Sequence, residues 1–189
     1  MRKLIVSEFV TLDGVMQDPG GAEKSFAHGG WSMRYWHDEI GKVKFDELVA
    51  SDTLLLGRVT YQGFAAAWPA VKDEAGFADK MNSIPKVVVS TTLETVEWNN
   101  SRLIKENVAD EIANLKQQPG QDILVGGSAT LVRTLMQHDL IDGLRLLVYP
   151  VVLGSGKRIF PDGINTPLTL VESRSFPSGV VLLEYQPAR

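Results

Sequence analysis

Short apolar runs alternate along this chain with stretches in which apolar residues recur every three or four positions. The runs Lys3–Val10, Thr53–Leu56, Lys86–Val89, Asp122–Val125 and Leu144–Val152 read as buried strands. Between them, Trp36, Ile40, Val43 and Leu48 set a helical stripe over Arg34–Ala50, and a short helix is expected over Thr60–Ala67. Val108, Ile112 and Leu115 mark a further helix, with Asn107 as its N-cap and Pro119-Gly120 as its stop. Leu131, Val132, Leu135 and Met136 mark another, starting after Gly127. Strands that alternate with helices pair in parallel, which predicts an α/β class. Leu168–Glu172 and Gly179–Tyr185, joined through Pro177-Ser178, read instead as an antiparallel pair, so the expected sheet is mixed.

Four of the strands run into polar or glycine-containing segments. These are Thr11-Leu12-Asp13-Gly14, Gly57-Arg58-Val59-Thr60, Ser90-Thr91-Thr92 and Gly126-Gly127-Ser128-Ala129-Thr130. Ligands of open α/β sheets bind at the carboxyl ends of strands, and parallel pairing brings all four segments to one edge. That edge then holds an arginine, a group of hydroxyls, glycines for close backbone approach and an acid, a set suited to a phosphate-bearing cofactor beside a small substrate.

Each segment also has a plainer reading. Arg58 and Thr60 stand where a helix N-terminus binds anions, but Thr60 would equally cap the helix. Ser90-Thr91-Thr92 offers three hydroxyls to a ligand or forms a turn. Gly126-Gly127 lets a backbone pass close to a pyrophosphate or packs a helix on a sheet, and it lacks the spacing of the dinucleotide fingerprint. Asp13 is a candidate for substrate binding or proton transfer, or the acid of an Asp-Gly turn. Gly154-Ser155-Gly156-Lys157 fails as a P-loop, because Val151 replaces the first glycine and Arg158 the magnesium-binding hydroxyl. It reads as a loop.

Composition narrows the classes further. The 189 residues suit one domain with a substantial core. A net charge of −4 speaks against a nucleic-acid partner. The absence of cysteine removes disulfides, thiolate chemistry and cysteine-held zinc, and fits a cytoplasmic setting. No apolar run reaches membrane-spanning length, and the N-terminus reads as a strand rather than a leader. The glycine-rich stretch Asp13–Trp31 is a candidate lid.

Taken in order, SEFVTLDGVM, LLLGRVTYQGF, PKVVVSTTL, DILVGGSATLVRTLM and DLIDGLRLLVYPVVLGSGKRIF resemble the dihydrofolate reductase-like superfamily. More closely, the chain resembles the reductase domain of the bifunctional deaminase/reductase of riboflavin biosynthesis and its stand-alone relatives. The resemblance implies a three-layer fold, a homodimer and an NADPH-dependent reductase whose substrate is of the 5-amino-6-(5-phosphoribosylamino)uracil kind. Another pterin, pyrimidine or carbonyl substrate, and a cofactor-binding protein without catalysis, are the alternatives. It implies that Gly57, Arg58, Thr60, Ser90 and Thr91 hold the adenosine 2′-phosphate side, and that Gly126, Gly127, Ser128, Ala129, Thr130 and Leu131 hold the pyrophosphate. It also implies a cis peptide at Gly126–Gly127. The chain departs from the family in having no zinc deaminase half, and Ser7 where the riboflavin enzymes usually carry a lysine. It has Gly126-Gly127-Ser128 where they commonly have Glu-Gly-Gly.

Overall fold

The computed structural model describes residues 1–160 and 162–188. Eight strands form one sheet: β1 (Leu4–Thr11), β2 (Ser51–Gly57), β3 (Lys86–Val89), β4 (Ser101–Ile104), β5 (Asp122–Val125), β6 (Gly143–Tyr149), β7 (Leu168–Ser175) and β8 (Val181–Pro187). Their order is β4-β3-β2-β5-β1-β6-β8-β7. The first six are mutually parallel, β8 runs antiparallel to β6, and β7 runs antiparallel to β8. Five helices complete the layers: α1 (Asp38–Val49), α2 (Arg58–Ala67), α3 (Phe77–Ser83), α4 (Val108–Gln117) and α5 (Ala129–Gln137).

The central strands are apolar on both faces because helices cover both. Along β1, Leu4, Val6 and Val10 turn toward one face, where Ile112 and Leu115 of α4 and Leu131, Val132 and Leu135 of α5 close the largest core cluster. On the other face Leu54, Leu56 and Val88 pack under Leu48 of α1, Tyr61 of α2 and Met81 of α3. A third cluster gathers Trp31, Ile40, Leu147, Tyr149 and Leu182. Tyr149 sits at its centre, 5.2 Å from the rings of both Phe9 and Trp31.

Several expectations need correction. α1 starts at Asp38 and not Arg34. Met33–Tyr35 make a 3-10 turn, Trp36 is extended and half exposed, and the ring nitrogen of His37 accepts from Glu39 N–H to cap the helix. Asn107 does precede α4, but in the left-handed region (φ 51°) and without a side-chain cap. β6 stops at Tyr149, because the chain turns at Pro150 to meet the loop after β1. Two elements carry too little apolar pattern to show in the sequence: α3 and the edge strand β4, which pairs with β3 from Lys86↔Ser101 to Val89↔Ile104. Among the described residues, no helix is long and apolar enough to cross a membrane.

Candidate functional site

Parallel pairing puts the carboxyl ends of β1, β2, β3 and β5 on one edge, with all four polar segments along it. Gly57 lies opposite Val89, so Arg58 and Ser90 are the next residues out on neighbouring strands. β5 lies on the other side of β2, through Leu55↔Val125, and leads into Gly126.

The starts of α2 and α5 touch each other. A methyl group on Gly57 would overlap Ser128 Oγ, and one on Gly127 would overlap Thr60 Oγ1. Gly127 also has φ +70°, where a side chain is strained. These two glycines are therefore required by close approach. Neither helix has a side-chain cap at its first turn, so the leading N–H groups of both lack side-chain and helical acceptors. The hydroxyls of Thr60 and Ser128 have no hydrogen-bond partner among the described residues. Arg58 is exposed on the same turn, with only a 3.3 Å contact from its guanidinium to Gln62. Two helix N-termini, an available guanidinium and two available hydroxyls make a cradle whose chemistry suits an anion.

The remaining sequence candidates take different places. Ser90 is buried, and its Oγ accepts from the N–H groups of Thr92 (3.2 Å) and Leu93 (3.0 Å), so it builds the turn that presents the exposed Thr91. Ala129 and Leu131 turn their side chains into the core and bring only backbone to the cradle, while Thr130 is exposed. The cis peptide lies at Gly127–Ser128 and not at Gly126–Gly127.

Asp13 stands at the end of β1, but its carboxylate is occupied. It accepts from Thr11 Oγ1 (2.6 Å) and from the N–H groups of Leu153 (3.2 Å) and Gly154 (2.8 Å). The Thr11 bond, chiefly, together with these N–H groups, holds it down at about 2. A carboxylate so held carries no proton to transfer at neutral pH. Its work is to clasp the loop after β6 to the end of β1. Met16 N–H to Lys157 O (2.9 Å), Ile159 N–H to Gly14 O (3.0 Å) and the Val15↔Arg158 bridge continue that clasp. Trp31 Nε1 donates to Gln17 O (2.8 Å), so the Asp13–Trp31 loop is tied at both ends.

Sequence reasoning missed the polar residues of the central strands and α1. Glu8 points from β1 to the cradle, and its Oε1 accepts from Gly127 N–H at 2.5 Å. Burial pushes it up to about 8, against the pull of that N–H and of Lys44 and with an added push from Glu47. On the opposite face, Lys44 Nζ donates to Ser7 Oγ (2.7 Å) and to Glu47 Oε2 (2.7 Å). Ser7 Oγ donates to Glu47, and Arg145 pairs with Glu184 at 3.1 Å. The ammonium group missing from β1 at Ser7 thus arrives from α1. A lone charged position on a helix gives no sequence sign of this. Beside α2, Tyr61, Gln62, Ala65, Leu93 and Trp98 wall a cavity of about 870 Å³, which Gln62 connects to Arg58.

This fold, an eight-stranded, mostly parallel sheet with antiparallel C-terminal strands and helices on both faces, is that of the dihydrofolate reductase-like proteins. Dihydrofolate reductase from Enterococcus faecalis, solved with NADP(H) and RAB-propyl, superposes with a TM-score of 0.64 at 13% identity, over 99% of this chain and 97% of its own. The deaminase/5-amino-6-(5-phosphoribosylamino)uracil reductase of Thermotoga maritima gives 0.65 at 15%, over 99% of this chain and 57% of its own. The Bacillus subtilis (strain 168) protein YyaP is 33% identical over 190 residues, 97% of this chain and 94% of YyaP. The RibD C-terminal domain family matches residues 2–182, and the chain belongs to it.

Proposed function

We propose that the protein is an NADPH-dependent oxidoreductase that reduces a small heterocyclic or ribosylated substrate. The observation that carries this reading is the cradle formed where α2 and α5 begin, with Arg58 beside it. Its donors fit the cofactor: the helix starts suit a pyrophosphate, and a guanidinium next to Thr91 suits a ribose 2′-phosphate. NADPH, when bound, supplies a hydride for a polarised C=N or C=O carbon. The chain's own part is placement. Gly126, Gly127, Ser128 and the backbone of Ala129, Thr130 and Leu131 hold the pyrophosphate; Arg58, Thr60 and Thr91 hold the adenosine side, with Gly57 allowing the close approach and Ser90 forming the turn that presents Thr91. Glu8 fixes the Gly127 N–H, and the clasped Asp13–Trp31 loop shields the site from water.

The 5-amino-6-(5-phosphoribosylamino)uracil named for the Thermotoga maritima enzyme is the first substrate to test. The placement of Lys44 at Ser7 supports keeping it, since the cation is retained by another route. We further propose a homodimer joined through the C-terminal strands.

The test is a fluorescence titration with NADPH and NADH in parallel, repeated with Arg58→Ala. Loss of charged hydrogen bonds worth roughly 1.5–3 kcal/mol should weaken NADPH about ten- to a hundredfold while sparing NADH. Equal losses for both would remove the 2′-phosphate assignment, and no binding of either would remove the reductase reading. Oxidation of NADPH in a screen of ribosylaminopyrimidines and pterins separates a catalyst from a protein that only binds the cofactor.

A further inference from the structure

The segment Gly154-Ser155-Gly156-Lys157-Arg158, which fails as a P-loop, lies on a basic cavity of its own. About 440 Å³ is walled by Gly154, Ser155, Gly156 and Arg158 of this loop, by Arg133 of α5, and by Phe160 and Asp162. Arg133 lies two residues beyond Leu131, the last residue assigned to the cofactor cradle, and no wall residue belongs to that cradle. Both arginines are exposed, and among the described residues neither guanidinium has an ion pair or a hydrogen bond. Two guanidiniums face one carboxylate, with the exposed Lys157 adjacent, so the cavity carries net positive charge in a chain whose total is −4.

The loop is built to stay open. Gly154 N–H is held by Asp13 (2.8 Å) and Lys157 N–H by Gln17 Oε1 (3.1 Å). Gly156 has φ +124°, and a Cβ there would meet Val15 and the Phe26 ring. Those ties fix the loop at both ends. Between them, the N–H groups of Ser155 and Gly156 and the Ser155 hydroxyl have no partner among the described residues. Preorganised N–H donors with two planar guanidiniums match the oxygens of a phosphate or pyrophosphate group.

We infer that this cavity is a second anion site, separate from the cofactor's, which binds the phosphate or pyrophosphate group of a small phosphorylated molecule. Ser155 and Gly156 N–H, Ser155 Oγ, Arg133 and Arg158 hold the anion. Phe160, at the rim, covers the apolar remainder of the ligand.

Pyrophosphate is the probe. Calorimetric titrations are made on the wild type, on Arg58→Ala and on the double variant Arg133→Gln/Arg158→Gln, each with and without saturating NADPH. The four residues that supply these donors, Ser155, Gly156, Arg133 and Arg158, are all solvent-exposed, and an unchanged melting curve shows that the double variant folds. With NADPH saturating the cofactor cradle, the expected result is one pyrophosphate site, present in the wild type and in Arg58→Ala and weakened tenfold or more in the double variant. NADPH binding by the double variant should stay unchanged. With NADPH saturating, absence of pyrophosphate binding in the wild type, its loss in Arg58→Ala, or its undiminished persistence in the double variant would overturn the site. Failure of the protein to bind NADPH would remove the cofactor reading and leave this comparison of wild type and double variant intact.

Discussion

Glu8 shows how much one buried side chain can decide. It sits on β1 with its carboxyl enclosed, and it holds the N–H of the glycine that lets α2 and α5 touch. Its folded value near 8 lies above the ordinary 4.5. The native state therefore binds a proton that the unfolded chain releases between these values, and the contribution to stability, full below about 4.5, is lost as the pH rises through about 8. Melting temperatures across this window should fall with pH in the wild type and run flatter in Glu8→Gln, which keeps an acceptor for Gly127. Equal slopes would show that Glu8 is already ionised in the folded protein.

At the scale of elements, the contact between α2 and α5 is the part of the fold on which the cradle depends. Gly127→Ala would force a Cβ against Thr60 at φ +70° and should cost roughly 1–3 kcal/mol of stability. Cofactor titration should show it losing NADPH and NADH alike, unlike Arg58→Ala, since both cofactors share the pyrophosphate. Further along the same face as α2, Lys86 anchors α3 and the approach to β4. Its Nζ donates to the carbonyls of Asn82 (3.0 Å), Ile84 (2.8 Å) and Asn99 (3.0 Å) and lies 4.1 Å from the Trp98 ring centre. Lys86→Met strands those carbonyls and should destabilise the protein by on the order of 3 kcal/mol, measurable by urea unfolding. A change below about 1 kcal/mol would mean that water replaces the ammonium there.

For the whole molecule, the sheet ends on β7, an eight-residue strand with an apolar pair at its middle. β7 pairs only with β8 among the described residues, and it exposes Leu170 (51%) and Val171 (56%). Unprotected edges invite pairing, which is the physical support for a dimer formed there. Val171→Lys should shift a dimer toward monomer in sedimentation velocity. A wild type that sediments as a monomer would end that proposal.

What the chain determined by itself is local. Apolar runs such as Ile123–Val125 are strands because both faces are buried, and the stripe Leu131, Val132, Leu135 makes α5 a helix with one face to the core. The alternation of such segments leaves a parallel sheet as the economical arrangement, so four polar segments at one edge could be read from order alone. Short elements with weak periodicity, α3 and β4, gave no such signal; they exist because neighbours already in place supply their partners. The tertiary structure alone decided the rest of the candidate site. Asp13 became a clasp because Gly154, far along the chain, brings it an N–H, and Glu8 joined the cradle because β5 lies beside β1. Lys44 reached Ser7 because α1 crosses β1 at that residue. Each of these is a bond between distant positions, and the residue types that make it are common enough elsewhere in the chain that only proximity selects the pair.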